Sequence, residues 1–92
     1  MQFDGLPGGD LVASGLADLE RGARTRNALL VAIGAPRLRA LGVAVPNPAI
    51  ARPELALYEL LTETEGTAAH SRYNALVRRL VSFEHALACA SR

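Results

Sequence analysis

The run His70-Ser71-Arg72-Tyr73-Asn74, followed four residues later by Arg78, is the densest set of ligand-reaching side chains in the sequence. Set at the start of a helix, these groups face the end where the helix dipole favours negative charge. Arg37 and Arg39 form a second pair, directly after Pro36. If Pro36 opens a short helix, its free backbone N–H groups face an anion with both guanidinium groups beside them. Guanidinium grips carboxylate or phosphate at two points, which a lysine ammonium does not. The chemistry expected of Arg37, Arg39, His70, Ser71, Arg72, Asn74 and Arg78 is therefore anion or partner binding, with no covalent step. The competing expectation is an ordinary solvated helix start with Tyr73 turned inward, its arginines neutralised by nearby acids.

Catalytic arrangements have thinner support. Arg79 and His85, with Arg78 also within range, resemble the Arg–His pair that metal-independent RNases of the HEPN type carry near one end of a helix at a dimer interface. That resemblance implies an all-α fold, with His85 as general acid or base and Arg79 steadying phosphate charge. Leu80 stands where those enzymes usually carry a polar residue. Around a helix Arg79 lies about 120° from His85, whereas Arg78 lies only about 20° away. Residues 25–43 suggest a second nucleic-acid arrangement: helix, glycine break, helix, with Arg37 and Arg39 where a recognition helix begins. A helix from Pro36 to Leu41 is under two turns, too short to lie along a major groove.

Metal and cofactor chemistry find no basis. His70 and His85 sit about 60° apart around a helix and about four turns along it, so they cannot share an ion. The one cysteine, Cys89, makes no zinc site and no intrachain disulfide. Its place near the end of an apolar stripe points to a buried, structural thiol. Phosphate-loop and dinucleotide fingerprints are absent, and Ser71 lacks the strained turn of a hydrolase nucleophile. No cofactor and no metal are expected.

The charges are laid out in blocks. Residues 1–20 hold Asp4, Asp10, Asp18 and Glu20, while residues 21–53 hold Arg21, Arg24, Arg26, Arg37, Arg39 and Arg52 with no acid. Residues 54–65 then carry Glu54, Glu59, Glu63 and Glu65, and the remainder has Arg72, Arg78, Arg79 and Arg92 against Glu84. The net charge is only +1, so bulk electrostatics favour neither nucleic acid nor a membrane surface. All the basic residues apart from two histidines are arginine.

Ninety-two residues, half of them hydrophobic, make one small domain with a thin stability margin. Pairing with a second copy relieves that margin, so a homodimer is expected. No basic start leads into a continuous apolar run, and Ala28 to Ile33 falls far short of the roughly 20 residues that cross a bilayer. A cytoplasmic location follows as the expectation.

Elements that would position these groups follow from punctuation and period. Asp10 is the expected N-cap of a first helix with Val12, Leu16 and Leu19 on one face and Gly22 at its exit. Thr25 caps a second, whose body from Ala28 to Ile33 is apolar on every side and so belongs at the core centre. Gly34 and Pro36 are read as its end, with a short third helix running to Gly42. Residues 43–52, with Pro46 and Pro48, form an extended connection. Pro53 opens a fourth helix with Leu57, Leu60 and Leu61 inward. Gly66 ends it, and Thr67 caps the longest helix, which puts Tyr73, Leu76, Leu80, Phe83 and Leu87 on one side. Glu84 falls on the apolar flank of that helix and calls for an arginine from another segment or an opening to water.

The sequence therefore predicts an all-α bundle of four to five helices. Its expected role is a non-catalytic interaction or regulatory module that self-associates and binds an acidic protein surface or anion. The alternative is a nucleic-acid-binding domain or HEPN-like RNase.

Overall fold

The computed structural model describes Phe3 and residues 5–46 and 50–90, every regular element of which is helical. Asp4, Pro48 and Arg92 lie outside the described residues. Helix α1 spans Gly9–Glu20, α2 Arg26–Ala40, α3 Pro53–Glu65 and α4 Ala69–Ala90, with a 3-10 turn over Gly66–Ala68. Helical residues thus fall into three unbroken stretches (9–20, 26–40 and 53–90), the last folded back on itself at Gly66. This differs from the predicted four to five separate helices.

The difference arises at Pro36. Helix α2 runs through Gly34 and Pro36 without ending, so the expected third helix is its last turns. A proline inside a helix removes one hydrogen bond and costs about 3 kcal/mol. Burial on both sides outweighs that cost. Leu30 and Val31 before the proline and Leu38 after it are fully buried, each worth about 1.5–3 kcal/mol. Pro36 itself is exposed, so its ring adds no crowding to the core. As the sequence suggested, α2 is central and packs against α1, α3 and α4.

The α1–α2 hairpin is closed by polar contacts and one glycine. Thr25 caps α2 by accepting from the Ala28 N–H at 3.2 Å, and its hydroxyl donates to Asp18 at 2.5 Å. The Arg21 guanidinium also bonds the Asp18 carboxylate, while the Ala23 N–H reaches the Asp18 carbonyl at 2.9 Å. Three residues before Asp18 on α1, Gly15 lets the helices touch: a β-carbon there would lie 2.4 Å from both the Asn27 carbonyl oxygen and a Val31 methyl. Gly22 and Gly42 follow α1 and α2 with positive φ, as their sequence positions indicate.

Two helix starts differ from expectation. Helix α1 begins after Gly8, leaving Asp10 in the first turn, where its charge suits the dipole. Thr67 lies inside the 3-10 turn, so it does not cap α4. The lead-in is also better anchored than its glycines suggest. Leu6 N–H bonds the Phe3 carbonyl, Gly9 N–H bonds the Leu6 carbonyl, and the Phe3 ring meets Phe83 edge-on at 5.0 Å. Leu76, Leu80 and Phe83 of α4 are buried, with Tyr73 and Leu87 packed at their margin. Residues 43–46 and 50–52 carry no helix or strand.

Candidate functional site

The structure separates the two halves of the predicted anion site. Because α2 is continuous, there is no free helix start at Pro36, and the N–H groups that would have met an anion lie within the helix. The same continuity removes the glycine break of the helix-turn-helix arrangement. Arg39 donates to the Val45 and Pro46 carbonyls at 3.3 and 3.2 Å, pinning the chain that leaves α2. Arg37 is exposed and is the arginine whose charge is felt at Glu84, on α4. Glu84 stands twelve residues beyond Arg72, about 18 Å along the helix.

The remaining predicted residues stay at the start of α4. Arg72 pairs with Glu65 at 3.3 Å, and Asn74 bonds the His70 ring at 3.2 Å. The Tyr58 ring from α3 meets His70 at 6.3 Å and Tyr73 at 5.7 Å between centroids. Ser71 and Arg72 border a shallow depression with Ala68 and Ala75, and Arg78 is exposed without an ion pair among the described residues. Arg79 binds Asp10 of α1 at 3.1 Å. His85 instead stands 4.0 Å from the Cys89 sulfur. That thiol is exposed, contrary to the buried position its stripe suggested, because the last turn of α4 extends past the core.

A different set of residues comes together between α2 and α3. Arg24, from the turn before α2, and Arg52, which caps α3, border an open groove of about 430 Å³. Leu55, Glu59 and Glu63 run along it at successive i, i+4 positions of α3, with Leu29 and Leu60 beneath. Leu55 is 48% exposed, although its neighbours Leu57 and Leu61 are fully buried. None of Arg24, Arg52, Glu59 or Glu63 has an ion-pair partner among the described residues. Arg26 borders an adjoining depression that shares Leu60. Arg52 is also the one described non-glycine residue with positive φ, at 51°, a conformation that costs about 1–2 kcal/mol.

Sequence reasoning identified the charge blocks that supply this groove but chose other arginines from them. The signal was present in two places. Arg24 and Arg26 flank the Thr25 cap, where side chains must leave the helix end. Leu55 lies off the Leu57–Leu61 stripe and so cannot share its core.

Two carboxylates are tuned in opposite directions. Hydrogen bonds from Thr25 and Arg21 hold Asp18 below the ordinary carboxylate range. Burial raises Glu84, and the nearby Arg37 charge offsets part of that rise. Burial and the Glu54 charge raise the Tyr73 phenol as well. Among the described residues no group of three His, Cys, Asp or Glu could hold a metal ion, and no helix is long and apolar enough to cross a membrane.

No protein-family model, curated protein or solved structure matches this chain.

Proposed function

We propose that the protein is a non-catalytic helical interaction module whose docking face is the α2–α3 groove. The observation that carries this proposal is the coincidence of unpaired guanidinium groups with an exposed leucine. Arg24 and Arg52 have no ion-pair partner among the described residues, and Leu55 in the same groove stands half in water. Buried apolar anchors ringed by charge are how protein interfaces concentrate their affinity. A partner fits by placing an apolar side chain against Leu55 and Leu60 and carboxylates against the two arginines.

The test is a titration with a helical peptide bearing leucines and glutamates, followed by backbone amide shifts at low salt. Shifts concentrated in residues 24–29 and 51–63 are expected, weakening as salt is added. Shifts centred on residues 70–78, or none at all, would remove the groove as the docking face. A parallel titration with single-stranded RNA and duplex DNA addresses the nucleic-acid alternative. Tight binding with a steep salt dependence would favour that alternative.

A further inference from the structure

Resting on the groove as docking face, we infer that its occupant is a second copy of this chain, packed α3 against α3 in antiparallel fashion around a two-fold axis. The charge pattern singles out this partner. The groove carries two arginines and two glutamates, all without ion pairs among the described residues of the protomer itself. A uniformly acidic partner gains at Arg24 and Arg52 but is opposed by Glu59 and Glu63, so it binds more weakly than a partner that carries both signs. A nucleic-acid backbone meets the same repulsion. Along α3 itself Arg52 stands at one end of the groove and Glu63 at the other, an order that is complementary to itself after a half-turn.

The order along α3 sets the register. Arg52 stands at the N-terminal edge and Glu63 eleven residues later, about 16 Å along the axis. An axis passing midway between them brings Arg52 to the partner's Glu63 and, by symmetry, Glu63 to the partner's Arg52. The same register sets Leu55 against the partner's Leu60, and Leu60 against the partner's Leu55. Positions 52, 55/56, 59/60 and 63 repeat with the three-and-four spacing of a helix–helix seam. Each contact occurs twice, so the exposed Leu55, the partly buried Leu60 and the charges of Arg52 and Glu63 are satisfied together in both protomers. The antiparallel arrangement is required: with α3 helices parallel, arginine meets arginine.

The full chain, followed by sedimentation equilibrium from micromolar to millimolar concentration, tests this arrangement. A monomer–dimer equilibrium is expected for the native protein. Leu55→Asp buries a carboxylate at the centre of the seam and should weaken dimerisation by about thirtyfold or more. Arg52→Glu and Glu63→Arg should each weaken it several-fold, whereas the doubly substituted chain, with the charges exchanged, should return to near the native affinity. Circular dichroism verifies that each variant folds, and the charge exchange keeps the test decisive should Leu55→Asp unfold.

A chain that stays monomeric throughout overturns the inference. So does a dimer indifferent to Leu55→Asp, or a double exchange no better than the single reversals. If the acidic peptide still shifts residues 24–29 and 51–63 of a monomeric chain, the docking face stands and only the second copy is lost. If neither peptide nor copy binds there, both fall together.

Discussion

Replacing Gly15 by alanine tests the closest helix crossing in the fold. The added β-carbon would sit 2.4 Å from the Asn27 carbonyl oxygen and from a Val31 methyl, against an ordinary contact of 3.4 Å or more. The α1–α2 interface must therefore open by about 1 Å, which forfeits a quarter to a half of each dispersion contact across it. With about 40 atom pairs worth about 0.15 kcal/mol each, that loss is about 2 kcal/mol. Moving the Asn27 backbone adds strain and brings the total to about 3 kcal/mol, the upper part of the range for overpacked cores. Alanine's better helix propensity returns about 1 kcal/mol. A net destabilisation of about 2 kcal/mol remains, equivalent to a melting temperature lower by about 8–16 °C for a domain of this size. Gly34→Ala is the control. The atoms nearest a β-carbon there are two Leu80 methyls and a Glu84 carboxylate oxygen at 3.0–3.1 Å, all tips of side chains that can move. Its expected change lies within about 1 kcal/mol of zero once the propensity gain is counted. Urea unfolding followed by far-UV circular dichroism measures both. A Gly15→Ala chain as stable as the native one, or a Gly34→Ala chain that suffers more, would refute the crossing geometry.

Arg52→Gly should separate stability from association. Relieving the left-handed backbone stabilises the monomer by about 0.5–1 kcal/mol, while loss of the guanidinium weakens self-association several-fold. A variant whose urea midpoint falls contradicts the strain assigned to Arg52. Asp18, whose folded pKa lies below the ordinary 3.8, adds stability that is fully present above about pH 4 and lost as the pH drops through its folded value. Asp18→Asn should flatten the acid limb of a plot of urea midpoint against pH, and an unchanged limb would exclude this carboxylate as its source. Glu84 has the opposite sign. Its folded pKa lies above the ordinary 4.5, so its charged form opposes folding near neutrality and stability rises as the pH falls through that folded value. Glu84→Gln should therefore raise the urea midpoint at neutral pH and remove that rise, and a lower midpoint would mean that the carboxylate makes a favourable contact instead.

Local chemistry alone determined much of the helical framework. Thr25 was legible as a cap because its hydroxyl reaches the N–H of Ala28, and Pro53 as a helix start because its missing N–H costs nothing there. The Leu76–Leu80–Phe83 stripe follows from helical period, and the central burial of residues 28–32 from the lack of a polar face. Tertiary structure decided whatever depended on burial between distant segments. Pro36 lies inside α2 because Leu38 beyond it is wholly buried, a gain that local propensity cannot register. Phe3 belongs to the core because α4 brings Phe83 to it, eighty residues away in sequence. The candidate site follows the same division. Arginine-rich and glutamate-rich blocks were plain in the sequence, but which guanidinium groups stay unpaired was settled by the fold. Asp18, Glu65 and Asp10 took Arg21, Arg72 and Arg79, and the carbonyls of Val45 and Pro46 took Arg39. Ion pairing acts over a few ångströms, so it depends on which helices become neighbours and in what register. Among the described residues that left Arg24 and Arg52 without an ion pair, in the same groove as the exposed Leu55.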